Sequence, residues 1–298
     1  MIEIDARLVK QLVRTQFPQW ADLPVVSVEN GGWDNRTFRL GDWMSARLPS
    51  ALAYAAQVEK EHRWLPVLRR HLPLPIPIPI GLGAPGAGYP WPWSIYGWLD
   101  GEPAQLDRIY DLSRFAADVA RFLVALRGID ACNGPAAGPH NFHRGGSLSI
   151  YDTETRRLIH ALAGEIEVKG VTEVWDIALE TSWQMPPVWV HGDMAATNLL
   201  VKSGLLNAVI DFGNCGIGDP SCDLVVAWTF LDQAAREAFR SAVRLDPTTW
   251  QRARGWTIWK AMITLEQLRD INPIEAETQR RIIRDVLDDH SRAIKHAQ

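Results

Sequence analysis

Residues 188–224 read VWVHGDMAATNLLVKSGLLNAVIDFGNCGIGDPSCDL, and the fold turns on this stretch. Two apolar runs, Leu199 to Val201 and Leu205 to Ile210, flank Lys202-Ser203-Gly204. Apolar runs on either side of a short glycine-containing turn predict a β-hairpin. With Val201 opposite Leu206, the hairpin carries Asp211 to its mouth, level with Ala196 and diagonal to Asn198. Asp193, Asn198 and Asp211 then converge on one small volume.

Three oxygen-bearing side chains gathered in this way suit a hard cation such as Mg²⁺, which takes few protein oxygens and completes its shell with substrate phosphates. Their order, Asp193, four residues, Asn198, then Asp211-Phe212-Gly213, resembles the catalytic loop and metal-binding tripeptide of protein kinases. A lone DFG arises by chance and a lone HGD can be a capped turn, whereas the ordered set on one hairpin is a specific signal. His191-Gly192-Asp193, Asn198-Leu199-Leu200-Val201, Val209-Ile210-Asp211-Phe212-Gly213 and Gly218-Asp219-Pro220 followed by Asp223-Leu224 together resemble the aminoglycoside phosphotransferase family, a branch of the protein-kinase-like fold. The GDPxxDL run stands where protein kinases carry their activation segment. Met194-Ala195-Ala196-Thr197 departs from the Leu-His-Pro-Gly-like filling of many members but leaves carboxylate and amide in place.

The resemblance implies an α+β, bilobal protein-kinase-like fold. Residues 1–98 would form a small β-rich nucleotide-binding lobe, and 99–298 a larger, mainly helical lobe that binds the acceptor. It implies an ATP-dependent phosphotransferase acting on a hydroxyl of a small molecule, with ATP and Mg²⁺ as cofactors. In that reading Asp193 orients the acceptor hydroxyl and takes its proton, while Asn198 and Asp211 hold Mg²⁺ on the nucleotide phosphates. Arg47 stands where protein kinases have their phosphate-pairing Lys, with Glu61 as its ion-pair partner. Gly32 and Asn35 belong to a glycine-bearing turn whose backbone can approach phosphates. Tyr96 and Trp98 lie in the connection that meets the base. His191, Asp219 and Asp223 support the site, Asp219 and Asp223 by shaping the catalytic loop through hydrogen bonds to its backbone and to His191. Two other readings share the scaffold: a metabolic kinase of choline, homoserine or sugar type, and a nucleotide-binding pseudokinase. The filled metal and base positions weigh against the second.

Composition narrows the field independently. At 298 residues, 47% hydrophobic and 22% charged, the chain is that of an ordinary globular protein with room for two lobes. A net charge of -4 argues against a nucleic-acid partner and is mildly suited to a cationic or neutral substrate. Cys132, Cys215 and Cys222 cannot all pair and show no metal spacing, which fits a reducing cytoplasm. Ile4, Leu8 and Leu12 at helical spacing read as an amphipathic first helix rather than a signal peptide. No run approaches the roughly 18 apolar residues that span a bilayer.

Along the chain, strands are expected over 25–29, 37–40, 43–48 and 93–98, and a helix over 53–70. Leu72 to Ile80 alternates apolar residues with Pro73, Pro75, Pro77 and Pro79, so this extended segment can pair on one edge at most. Helices are expected over 113–126, 153–163, 171–183, 224–242, 248–270 and 275–290. Residues 132–146 read as a long loop, whose His140 and His143 lack the further ligands of a metal site. Trp228, Trp250, Trp256 and Trp259 fall on the late helices, either as core or as the wall of a substrate cleft. Glu266, Asp270, Glu275 and Glu277 suggest an acidic cleft for a polycationic acceptor, or else solvated surface charges beside Lys260, Arg269 and Arg280.

Overall fold

The computed structural model describes residues 3–28 and 34–297, so of the expected glycine turn at 30–35 the part 30–33, including Gly32, lies outside the described residues, and Asn35 already belongs to a strand. Helix α1, Ala6–Gln16, starts at Asp5, whose side chain accepts the Leu8 N–H at 2.8 Å. This is the capping geometry that an N-terminal Asp supplies. Its buried face, Val9, Leu12 and Val13, lies on strands β1, Val25–Ser27, β2, Asn35–Leu40, and β3, Met44–Pro49. Helix α2 follows over Leu52–Leu68, then β4, Pro79–Gly83, and β5, Trp93–Gly97.

The five strands form one antiparallel sheet in the order β1-β2-β3-β5-β4. The proline-rich segment delivers the chain to the edge position β4, where a missing N–H costs nothing on the outer side. Its remaining carbonyls are used: Pro75 O accepts from Val209 N at 3.1 Å and Ile78 O from Gly97 N at 2.9 Å.

The short strand β6, Glu102–Pro103, pairs with β8, Leu199–Lys202, which pairs in turn with β9, Leu205–Val209. Helices α3, Leu112–Arg127, α4, Asp152–Ala161, and α5, Val168–Leu179, come between. Phe115, Val119, Phe122 and Leu126 bury the inner stripe of α3, each such side chain contributing roughly 1.5–3 kcal/mol of burial. Strand β7, Val188–Val190, pairs with β10, Gly216–Gly218, and brackets the hairpin. The chain ends in α6, Val226–Thr229, α7, Gln233–Val243, α8, Pro247–Leu268, and α9, Pro273–Ala297.

The single helix expected over 224–242 is broken. A 3₁₀ segment, Pro220–Val225, leads into α6, and the chain restarts at α7 with Asp232 accepting the Ala235 N–H at 2.8 Å. An internal cap of this kind outcompetes helix continuation, because it satisfies the orphan donors of a new first turn.

Two large apolar cores result, beside a smaller third cluster that contains Leu148, Trp175, Val190, Trp256 and Trp259. One joins α1 to the sheet through Phe38, Leu40, Trp93 and Ile95. The other fills the helical part and draws in Leu65 and Leu68 of α2, Ile76 and Tyr96 from the first hundred residues. The cysteines are free, with Cys215 and Cys222 buried and Cys132 exposed. No described helix is long and apolar enough to cross a membrane.

Candidate active site

Strands β8 and β9 set the site. Val201 pairs with Leu206 as expected, but the register shifts between Leu200 and Val201, so that Leu199 faces Val209. Ile210 N–H then donates to Asn198 O at 2.9 Å. The bulge therefore moves Asp211 one residue beyond the expected level of Ala196, and closer to the Asn198 end of the loop. Asp211 itself is left-handed, with φ 67° and ψ 66°. That conformation is uncommon outside glycine, though Asp tolerates it better than most residues, and it aims the carboxylate away from the ladder.

The loop carrying Asp193 is tied down from beneath. Asp223, fully buried, accepts the N–H groups of His191 at 2.8 Å and Gly192 at 2.7 Å. His191 Nε2 lies 3.0 Å from Ile210 O and Nδ1 accepts the Asp193 N–H at 3.3 Å, so the two contacts fix the ring with its proton on Nε2. Gly192 is at φ +83°, and a Cβ there would lie 2.3 Å from Asn214 O, so only glycine fits. Asp219 does not touch His191. It caps Ser221 N at 3.0 Å and pairs with buried Arg252 at 2.6 Å, anchoring the 3₁₀ segment to α8.

Asn198 Nδ2 donates to Asp193 O at 2.9 Å, which leaves its Oδ1 uncommitted among the described residues. Asp211 Oδ1 accepts from Arg47 Nη2 at 2.8 Å, and its Oδ2 is likewise uncommitted. Two hard oxygens of this kind, with room for phosphate oxygens to complete the shell, fit Mg²⁺ held by few protein ligands. Among the described residues no cluster of three His, Cys, Asp or Glu offers a metal site elsewhere, His140 and His143 included.

Arg47, on β3, also faces Glu61 of α2 at 3.8 Å. Burial disfavours the Arg47 charge, but Asp211 and Glu61 more than reverse this and hold the guanidinium firmly protonated. Tyr96 differs from expectation. Its ring is buried and its hydroxyl donates to Glu61, so the side chain belongs to this ionic cluster instead of facing a base. Trp98 N–H is also committed, donating to Trp43 O at 2.8 Å, and the Trp98 ring carries the Arg39 guanidinium at 4.0 Å. Asn35 opens β2 opposite Pro49 and is buried.

Four residues near the site had gone unremarked as site residues. Lys60 of α2 donates to Gly213 O at 2.6 Å, clamping the turn after Asp211. Lys260 of α8 places Nζ 2.6 Å from Asp193 Oδ1. Burial alone would raise the Asp193 carboxyl, but Lys260, aided by Arg144 and His191, holds it below the usual carboxylate range. Arg144 rests over the Trp256 and Trp259 rings, at 5.1 and 4.7 Å. The Trp256-x-x-Trp259-Lys260 spacing on one helix face carried the signal for Lys260; Arg144 sits in a loop that has none.

The fourth is Asp34, whose carboxyl is raised to about 6 by burial and then by the charges of Asp211 and Asp193. The folded form therefore holds a proton that the unfolded chain releases nearer 4, so this group costs stability as pH rises from about 4 through 6. Asp34→Asn should stabilise the fold more at pH 7 than at pH 4.5, by roughly 1 kcal/mol in unfolding free energy once solvent screening of a part-exposed group is allowed for. Equal shifts at the two pH values would remove this charge repulsion from the site.

Of the two readings of the late-helix carboxylates, the acidic cleft does not form. Glu266 is held bidentately by Arg157 at 2.6 and 2.7 Å, Glu277 pairs with Arg280 and Arg284, and Asp270 is 88% exposed. These are paired or solvated surface charges.

With this geometry in hand, known proteins give a consistent comparison. The model of a phosphotransferase enzyme family matches residues 26–256. Among solved structures, a complex of APH(2")-IIia with GDP and kanamycin is 18% identical, with a TM-score of 0.71 over 94% of this chain and 98% of that one. The macrolide 2'-phosphotransferase MphH from Brachybacterium faecium is 20% identical, with a TM-score of 0.60 over 94% and 97%. An ADP-bound aminoglycoside phosphotransferase, APH(2'')-Ib, is 16% identical, with a TM-score of 0.58 over 94% and 99%. No curated protein matches the chain in sequence.

Proposed function

The chain belongs to the phosphotransferase enzyme family, and on that premise we propose that it moves the γ-phosphoryl group of ATP to a hydroxyl of a small molecule. One observation carries the reading: Asp193, Asn198 and Asp211 meet at the mouth of a single hairpin, with Arg47 reaching Asp211 from the small sheet. Asp193, kept ionised by Lys260, orients the acceptor hydroxyl and takes its proton as the phosphoryl group leaves. Asn198 Oδ1 and Asp211 Oδ2 would hold Mg²⁺, which, when bound, neutralises phosphate charge. Arg47, released from Asp211, would brace the phosphates, and its guanidinium fork suits them. Little covalent chemistry is asked of the protein, so catalysis rests on positioning and electrostatics.

The neighbouring structures support a nucleotide ligand: one was captured with GDP and kanamycin, another with ADP. The test is ADP or GDP release from Mg·ATP and Mg·GTP over aminoglycosides, macrolides, amino alcohols, sugars and hydroxy acids. Acceptor-dependent release with at least one class is expected. Failure to bind either Mg·nucleotide by calorimetry overturns the proposal.

A further inference from the structure

We propose, resting on the phosphotransferase reading, that Lys60 is a positioning residue for the cation site: by holding Gly213 O it keeps the Asp211 carboxylate aimed at Mg²⁺. Gln57, Lys60 and Glu61 share one face of α2 at i, i+3 and i+4, and all three are buried. Where burial alone decides such a stripe, apolar residues fill it. Here each of the three is spent on the surroundings of Asp211. Glu61 faces Arg47, whose Nη2 donates to Asp211 Oδ1; Lys60 Nζ donates to Gly213 O at 2.6 Å; and Gln57 Nε2 donates to Asn214 Oδ1 at 3.3 Å. A Cβ on Gly213 would lie 2.6 Å from Gln57 Oε1, so α2 closes directly on the turn.

The turn needs that hold. Asp211 is left-handed at φ 67°, a conformation that a non-glycine residue keeps where the chain on either side of it is fixed. Upstream, Ile210 N–H donates to Asn198 O at 2.9 Å. Downstream, the buried Phe212 ring meets His191 edge-on, Cys215 N–H closes the turn on Phe212 O at 2.9 Å, and Gly213 O accepts from Lys60. Gly213 is itself buried. Loss of the ammonium would leave its carbonyl unpaired, and the turn would relieve that by moving toward solvent and taking the Asp211 carboxylate with it.

The ammonium is costly where it stands. Its other partners are His140 Nδ1 at 3.1 Å and His140 O at 3.4 Å, so none of its three acceptors is a carboxylate. Burial lowers the pKa of Lys60, and it lowers that of His140 as well, which keeps the imidazole neutral. His140 Nε2 donates to Ala136 O at 2.8 Å, leaving Nδ1 to accept from Lys60. A methionine would fill the same volume without the desolvation cost, so what the charge adds here is the strength of its hydrogen bonds. This gives the 132–146 loop a task. It carries the imidazole that seats the ammonium, and buried Asn141 stiffens it by accepting the Gly138 N–H and donating to Arg144 O, both at 3.0 Å.

The test is calorimetric titration of the whole protein with ATP, with and without Mg²⁺. Lys60→Met should weaken Mg·ATP binding by about tenfold, the low end of what disturbing an outer partner of a metal ligand costs, and leave the affinity for free ATP unchanged. In the Asp211→Asn background the same substitution should cost nothing more, because no carboxylate is left to aim. A lysine that merely supports the fold would give losses that are equal with and without Mg²⁺, or that persist in that background. Either result overturns the proposal, as does an unchanged Mg·ATP affinity. Should Lys60→Met not fold, His140→Leu decides: it leaves the ammonium one acceptor short from a part-exposed loop position, and a loss specific to Mg·ATP is again required. Absence of Mg·ATP binding by the unmodified protein would register separately, as failure of the phosphotransferase reading and of this proposal with it.

Discussion

Replacing Asp193 by Asn should lower kcat by about 10² to 10⁴, the usual contribution of a positioned general base, and leave Mg·ATP affinity nearly intact. The split follows from which groups each substrate meets. Arg47 and Asp211 come from β3 and the end of β9 and touch each other, whereas the Asp193 side chain is turned toward α8 and Lys260. Asn keeps the shape and the contact with Asn198 but cannot accept the hydroxyl proton. It also leaves Lys260 without its anion, which is tolerable because that side chain is 37% exposed and can be solvated. Since Lys260 holds the Asp193 carboxyl below the ordinary carboxylate range, the wild-type rate should show no loss attributable to Asp193 between pH 5 and 7. A variant retaining more than about a tenth of wild-type kcat would remove Asp193 from the proton-transfer role.

What the sequence made legible was local. The hairpin, the helix-face stripe of α3 and the edge behaviour of the proline segment each depend on residues near in sequence, through periodicity and missing donors. The bulge at Leu200–Val201 was invisible, because Leu199, Leu200 and Val201 are all apolar and all buried, so no polar alternation marks the register. Tyr96 was misplaced for a related reason. β5 is buried on both faces, with Trp93 and Ile95 in one core and Tyr96 in the other, so no polar alternation marks which way a ring points. Lys260 and Arg144 meet Asp193 across 67 and 49 positions; the Trp256-x-x-Trp259-Lys260 spacing puts Lys260 on one helix face with the indoles, but nothing local to Arg144 marks it. Glu266 could be read as part of a cleft because its partner Arg157 lies more than a hundred residues away, whereas Glu277 is paired within its own helix.

Asp211 should behave in the opposite way to Asp193. Asp211→Asn removes the charge from one of the two oxygens available to Mg²⁺ while tolerating the left-handed backbone about as well as Asp does. Affinity for Mg·ATP should then fall by at least the roughly 10- to 100-fold that altering even an outer partner of a metal costs. The fold should survive, because Arg47 has a second anion at hand: Glu61 Oε1, 3.8 Å away, is buried with no hydrogen bond and can accept the guanidinium that Asp211 releases. Asp211→Ala should weaken Mg·ATP binding further and cost roughly 1 kcal/mol more in stability, since Ala occupies the left-handed region less readily. The discriminating measurement is the same titration without Mg²⁺. Asp211 then only repels the phosphates, so both variants should bind free ATP as well as the wild type or better. Equal losses with and without Mg²⁺ would instead assign Asp211 to holding Arg47 for the phosphates, and the cation would have to rest on Asn198 and other oxygens.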